Sequence, residues 1–163
     1  MTPLPIALTR IALTVNGRAV EVETDGTKPL LSVLREELAL RGSRFGCGAE
    51  KCGACIVLID GEPAYSCTRE VGTLAGKAVT TIEGLARDGA LHPLQQAFLD
   101  EQAGQCGYCL SGILMSAAAL LEHNVAPTRA EIVAALDPHL CRCGVYNRII
   151  RAVQRASAAM VRA

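Results

Sequence analysis

A run of four cysteines between residues 45 and 67, FGCGAEKCGACIVLIDGEPAYSC, constrains this chain more than any other feature. Its spacing is Cys-x4-Cys-x2-Cys with a fourth cysteine further on, and glycines stand beside the thiols. Thiolates bind soft metals, and this spacing is that of plant-type 2Fe–2S sites. Zinc sites more often have paired Cys-x2-Cys knuckles, so a zinc ribbon is the alternative. We predict a 2Fe–2S cluster held by Cys47, Cys52, Cys55 and Cys67.

The remaining four cysteines form a second set, Cys106-x2-Cys109 and Cys141-x-Cys143. Taken alone, this set is also compatible with zinc, although a one-residue gap is uncommon in zinc knuckles. Each pair lies close to the start of a predicted helix, where backbone N–H groups and the positive end of the helix dipole favour a net-negative group. This placement favours a second iron–sulfur cluster.

The composition narrows the possible functions. Sixteen Lys and Arg residues balance sixteen Asp and Glu residues without a basic block, which argues against binding to nucleic acid or an anionic membrane. The opening, MTPLPIALTRIALTVNG, has no charged start and is interrupted at Arg10 and Asn16, so we expect neither an export signal nor direct membrane insertion. Eight cysteines without such a signal fit metal binding in a reducing compartment better than disulfides.

The N-terminal half has the alternating pattern of β-strands, interrupted by one helical stretch. The predicted elements are a hairpin over residues 9–23 that turns at Asn16-Gly17, a short helix over 29–40 with Pro29 at its first position, strands over 56–59 and 63–67, and a closing strand over 77–82. Strands combined with one helix predict a small α+β domain.

From residue 84 onward the apolar residues recur at helical spacing. Four helices are predicted, in HPLQQAFLDEQA, CLSGILMSAAALLEH, TRAEIVAAL and VYNRIIRAVQRASAAMVRA. Thr128 and Glu131 form a capping box that marks the start of the third helix. We therefore predict a helical bundle, preceded by a linker over residues 83–92.

Three segments carry a resemblance to a known family: GCGAEKCGACIVLIDG, QCGYCLSGILM and LCRCGVYNRI. They resemble the small iron–sulfur subunit of the molybdenum hydroxylases, the xanthine oxidase family, over nearly the whole chain. The likeness is greatest to the small subunits of bacterial nicotinate and isoquinoline hydroxylases and of related aldehyde dehydrogenases.

The resemblance implies a β-grasp, ferredoxin-like 2Fe–2S domain over residues 1–83 and a four-helix-bundle 2Fe–2S domain over residues 84–163. It implies that the first cysteine set holds an outer cluster, toward the electron acceptor. An inner cluster would be held by Cys106, Cys109, Cys141 and Cys143. Gln105 and Cys143 would lie near the molybdopterin-type molybdenum cofactor of a large partner subunit.

The function that the resemblance implies is electron transfer within a larger oxidoreductase. The partner's molybdenum site would hydroxylate an N-heteroaromatic compound or an aldehyde, and electrons would leave singly through the inner and then the outer cluster. A flavin subunit or a cytochrome would accept them. The protein would be cytoplasmic, or carried to the membrane or periplasmic side only through a partner. We find no catalytic residue set in the chain itself.

Two rival functions follow from other interpretations of the cysteines. A structural zinc-binding adaptor would be colourless. A free-standing ferredoxin would need only the first domain, and a strongly acidic docking surface is missing at a net charge of zero.

Several residues near the cysteines have weaker signals. Glu50 stands where relatives often have Gly or Ser, and Ile56 where many have Thr. Arg142 is interpreted as solvated or as an offset to cluster charge, and Tyr108 and Tyr146 as packing residues. Surface or helix-end positions are expected for the three histidines, His92, His123 and His139, of which only His139 is close enough to a cysteine set to support its ligands.

Overall fold

The computed structural model describes residues 8–162, so the first part of the opening segment lies outside the described residues. Strands β1 (Thr9–Val15) and β2 (Arg18–Thr24) form the expected antiparallel hairpin, with Val15 opposite Arg18. Asn16 and Gly17 both have positive φ, 51° and 77°. A two-residue turn of this kind matches the right-handed twist of the strands that it joins.

The helix predicted over residues 29–40 is shorter and irregular. Helix α1 covers only Leu30–Ser32, and a π-helical segment, Val33–Glu37, follows it. Leu38 N–H donates to the carbonyl of Val33 at 3.1 Å, which is the wide π-type turn. Arg35 then donates to the carbonyls of Arg41 at 2.9 Å and Ser43 at 2.7 Å. The helix thus ends early. The guanidinium of Arg35 holds the segment that leads into the first cysteine set.

The remaining strands are β3 (Ile56–Ile59), β4 (Glu62–Tyr65) and β5 (Ala78–Thr80). The five strands form one mixed sheet in the order β2-β1-β5-β3-β4, in which only β1 and β5 are parallel. Strand β3 is buried on both faces: Val57 packs with Leu30 and Leu34, whereas Ile56 packs with the helical half. The sheet therefore joins the two halves of the molecule.

Four helices follow, as predicted: α2 (Pro93–Asp100), α3 (Leu110–His123), α4 (Arg129–Leu136) and α5 (Tyr146–Met160). The capping box of Thr128 and Glu131 is confirmed. A second capping box, made by His92 and Gln95 at the start of α2, was not predicted, since His is an unusual N-cap residue. Helix α3 lies against β3, so the bundle packs directly on the sheet.

Hydrogen bonds of polar side chains hold the segment that connects the sheet to the helices. The Asn16 side chain bonds the backbone N–H of Thr81 at 2.8 Å and its hydroxyl at 3.0 Å. Glu83 accepts from Thr81 and from the N–H of Gly42, the latter at 2.7 Å. The prediction of an α+β sheet domain followed by an all-α bundle is confirmed. Within residues 8–162 no helix combines the length and the apolar character needed to cross a membrane.

Candidate iron–sulfur sites

The first cysteine set lies on a loop between the π-helical segment and β3, and backbone N–H groups point at its sulfurs. Ala49 N–H and Lys51 N–H donate to Cys47 Sγ at 3.4 Å and 3.2 Å, and these two bonds lower the pKa of Cys47 to about 7. Cys47 N–H donates to Cys52 Sγ at 3.4 Å. Hydrogen bonds of this kind stabilise thiolates, the form that binds metal.

Tight backbone geometry explains two residues of this loop. A Cβ at Gly46 would lie 2.6 Å from Cys52 Sγ, so only glycine leaves room for the sulfur. Glu50 has φ = 56°, a left-handed conformation that glycine adopts without strain and that costs a larger residue energy. The Glu50 carboxylate accepts a short hydrogen bond from the hydroxyl of Thr68, directly after Cys67, and so joins the two ends of the set.

Cys55 and Cys67 form the buried side of the first set, with 2% and 8% of their surface exposed. Burial, followed by the interaction with the Cys67 thiol, raises the pKa of Cys55 to about 11. Ile56, directly after Cys55, is buried at the junction with the helices. An apolar residue fits this position because it packs into the core of the bundle.

The second set brings together residues from two helix starts. Cys109 is the N-cap residue of α3, and Cys141 and Cys143 precede α5. The Sγ atoms of Cys106 and Cys143 are 3.5 Å apart. Burial raises the pKa of Cys109 to about 12. Burial would also raise the pKa of Cys141. Hydrogen bonds from the N–H of Val145, from the Cys109 thiol and from the N–H groups of Cys143 and Gly144 outweigh it and leave that pKa lowered.

The thiols of each set therefore meet in pairs, and all eight cysteines are free. The pairs are Cys47 with Cys52, Cys55 with Cys67, Cys106 with Cys143, and Cys109 with Cys141. Two thiolates on one tetrahedral metal, with metal–sulfur bonds of about 2.3 Å, are about 3.8 Å apart, close to the observed 3.5 Å. Among residues 8–162 no three His, Cys, Asp or Glu side chains are arranged around a single metal position. Two pairs per set suit a cluster of two irons, each with two cysteine ligands.

The segment just before Cys141 links the two sets. Leu140 N–H donates to the carbonyl of Cys52 at 3.1 Å. Tyr146 accepts from Cys141 N–H at 2.7 Å and donates to the carbonyl of His139 at 3.3 Å, so its hydroxyl fastens this segment to α5. Tyr146 is therefore more than a packing residue. Sequence reasoning misses the contact because Cys52 and Leu140 are far apart in the chain.

His139 is buried, whereas the histidines were expected at the surface or at helix ends. It is 2% exposed, and burial lowers its pKa to about 4. The other two histidines lie at helix ends, as expected. His92 caps α2, and His123 contacts Glu62 at 3.1 Å on the surface.

The second set has an exposed edge. Gln105, Cys106 and Arg142 are exposed, and Cys143 is half-buried. Tyr108, which remains about half exposed, donates a short hydrogen bond to the carbonyl of Phe45 and lies under the guanidinium of Arg44. The residues expected near the partner's pterin are therefore accessible to another chain.

Family models match both halves of the chain. A 2Fe–2S iron–sulfur cluster binding domain matches residues 13–84, and a [2Fe-2S] binding domain matches residues 81–154. Paired thiols on a ferredoxin-like sheet domain and on a helical domain define the class: an iron–sulfur protein with two 2Fe–2S-binding domains.

Similar proteins identify the family within this class. The chain is 50% identical to one of the nicotinate dehydrogenase subunits of Pseudomonas putida, over 91% of this chain and 95% of the relative. It is 51% identical to the alpha subunit of isoquinoline 1-oxidoreductase from Brevundimonas diminuta, over 90% and 97%. A chain of quinoline 2-oxidoreductase from Pseudomonas putida 86 superposes with a TM-score of 0.91 at 36% identity, over 96% of this chain and 98% of that one. The chain belongs to the small iron–sulfur subunits of the molybdenum hydroxylases and is thus part of an oxidoreductase.

Proposed function

We propose that the two cysteine sets hold one 2Fe–2S cluster each and form the electron path of a molybdenum-dependent hydroxylase. Cys47, Cys52, Cys55 and Cys67 would hold the outer cluster. Cys106, Cys109, Cys141 and Cys143 would hold the inner cluster. When bound, such clusters accept and release one electron at a time. The observation that carries the proposal is the meeting of thiols in pairs, with Cys106 and Cys143 Sγ 3.5 Å apart.

The chain's own residues contribute the environment of the clusters. Backbone N–H groups that donate to Cys47 and Cys141 stabilise thiolates, and burial of Cys55 and Cys109 keeps water from one side of each set. The outer set is exposed at Cys47, and the inner set at Cys106. Each set thus has one accessible edge, as an electron path between two partners requires.

The proposed partner of the inner edge is a large subunit with a molybdopterin-type molybdenum cofactor. Exposed Gln105 and half-buried Cys143 would approach its pterin. The proposed substrate of the assembled enzyme is an N-heteroaromatic compound rather than an aldehyde. Relatives named for nicotinate and isoquinoline are 50% and 51% identical, whereas relatives named aldehyde oxidoreductase are 37% identical. The proposed compartment is the cytoplasm, and the acceptor is a flavin subunit or a cytochrome.

We also propose that the two domains meet at residue 83, where Glu83 and Thr81 fasten the end of the sheet. The exposed stretch 86–91 then is the linker. Limited proteolysis of the cluster-loaded chain should cut there first and yield two fragments. A first cut elsewhere within residues 8–162 would contradict this boundary.

The test of the proposed function is iron and acid-labile sulfide per chain, combined with low-temperature EPR after reduction by dithionite. About four irons and about four sulfides, with two distinct 2Fe–2S signals, are expected. Zinc in the purified chain without an EPR signal after anaerobic purification would contradict the proposal and indicate a structural zinc-binding adaptor. Iron at half the expected level would confine the proposal to one domain.

Gln105 is tested in the assembled enzyme by Gln105→Ala, with the exposed Gln96→Ala as the control. The Gln105 variant should slow reduction of the inner cluster by substrate while leaving the dithionite-reduced EPR spectrum unchanged. Equal rates of inner-cluster reduction in the two variants would show that Gln105 does not take part in the contact with the partner.

A further inference from the structure

The strongest unassigned feature is His139, which lies between the two cysteine sets. It stands two residues before Cys141 of the inner set. Its ring packs against Gly53 of the outer set, since a Cβ built on Gly53 would lie 2.3 Å from His139 Nδ1. The ring is 2% exposed. It therefore touches the backbone of one cluster-binding loop while belonging to the other.

The surroundings of the two ring nitrogens show how the ring of His139 is held in place. Nε2 lies 2.8 Å from the hydroxyl of Ser116, in the middle of α3. Nδ1 is buried and has no hydrogen-bond partner among the described residues. An unpaired buried nitrogen is unfavourable, so an apolar side chain would be the easier choice if packing alone were required. The hydrogen bond to Ser116 fixes the orientation of the ring instead.

Gly53 is held through its carbonyl group as well. A Cβ on Gly112 of α3 would lie 2.0 Å from the carbonyl oxygen of Gly53, so the two backbones are in direct contact. The neighbouring Cys52 carbonyl accepts from Leu140 N–H at 3.1 Å. Gly53 thus contacts both α3 and the ring of His139, and both neighbours belong to the helical half. The outer loop has its position set by residues that also carry the inner set.

We propose that His139 is a positioning residue that fixes the separation and relative orientation of the two cluster-binding loops, and through them the rate of electron transfer between the sets. The inference rests on the proposed function. In the transfer one electron would pass from the inner to the outer cluster, and His139 would form and break no bond. Tunnelling rates fall steeply with distance, so a small shift of either loop changes the rate.

The test uses the full cluster-loaded chain and the variants His139→Ala, His139→Gln and Ser116→Ala. His123→Ala is the matched control, because His123 is on the same helix as Ser116 but exposed. Two quantities are measured: the magnetic interaction between the two reduced clusters by EPR, and the rate of electron transfer between them after flash photoreduction. Magnetic dipole coupling falls with the cube of separation, so it reports loop positions independently of turnover.

We expect His139→Ala to change the EPR interaction and to slow inter-cluster transfer about 10-fold, the size common for residues behind metal ligands. Gln places an amide near the position of Nε2, so His139→Gln should restore most of the rate. The transfer rate of Ser116→Ala should lie between those of His139→Ala and His139→Gln. If His139→Ala loses iron, the inference is tested by the EPR interaction and the transfer rate of His139→Gln and Ser116→Ala. Unchanged coupling and rate at full iron content would overturn the inference, whereas a wild-type chain without two clusters would instead overturn the proposed function.

Discussion

Glu50 places a negative charge beside the outer cysteine set. Its left-handed backbone and its hydrogen bond to Thr68 hold the carboxylate at the loop rather than in open solvent. A nearby negative charge favours the oxidised, less negative state of a cluster, so it lowers the reduction potential.

Glu50→Gln removes this charge but keeps an amide oxygen that accepts from Thr68. We expect the potential of the outer cluster to rise and that of the inner cluster to stay the same. The shift should shrink at high ionic strength, because Glu50 is exposed and screened by salt. Redox titration followed by EPR checks this, with Glu21→Gln on β2 as the control. A shift of both clusters, or of neither, would contradict the assignment.

At the scale of elements, α2 depends on a histidine cap. His92 Nδ1 accepts from Leu94 N–H at 3.1 Å, which requires the neutral ring. Burial and then the charge of Arg87 lower the pKa of His92, while Glu122 opposes them. The stabilisation is fully present above the unfolded pKa of about 6.5 and is lost as the pH falls through the lower folded pKa.

His92→Asn replaces this cap with one that does not titrate. Between about pH 7 and pH 5 the wild-type chain should lose more stability than the variant, by about 1 kcal/mol at most. Thermal unfolding midpoints of the cluster-loaded proteins, measured across this range, check the difference. Parallel pH curves for the two proteins would show that His92 is not responsible.

The sequence predicted elements whose signals are local. Asn16-Gly17 specified its hairpin turn, and Thr128 with Glu131 specified the start of α4, because each signal spans only a few residues. The helix over 29–40 was only partly correct. Its apolar spacing is helical, but the π turn and the link from Arg35 to Ser43 end it early. Those contacts depend on the following loop, which periodicity does not describe.

The cysteine sets were predictable from spacing, whereas their supports were not. Cys47 and Cys52 are near neighbours in the chain, so their pattern is visible as a motif. The contacts of His139 with Gly53 and Ser116 join distant segments and exist only after the halves pack together. Long-range packing of this kind leaves no periodic trace in a single sequence.

At the scale of the whole molecule, the halves meet at Gly112 and Gly53. Gly112→Ala would place a methyl group 2.0 Å from the Gly53 carbonyl and force the backbones apart. We expect a loss of about 1–3 kcal/mol or more in stability, the usual cost of overpacking. Gly26→Ala is the control, since its Cβ would be 3.8 Å from the nearest atom. Thermal unfolding midpoints of Gly112→Ala and Gly26→Ala check this. Equal midpoints for the two variants would contradict the close contact.

The order of the clusters is tested in the assembled enzyme by removing one ligand at a time. Cys141→Ser should abolish the inner cluster and block substrate-driven reduction of the outer one. Cys52→Ser should leave substrate able to reduce the inner cluster but stop transfer to the acceptor. EPR of the substrate-reduced enzyme and acceptor turnover are measured together. Acceptor turnover that survives Cys52→Ser would mean that the proposed order is wrong.

The contact of Gly112 with Gly53 also has a kinetic consequence. It joins backbone to backbone, so no side-chain rotamer can exchange within it. We expect this contact to help hold the two proposed cluster sites at one separation, so that electron transfer between them in the cluster-loaded chain follows a single rate constant.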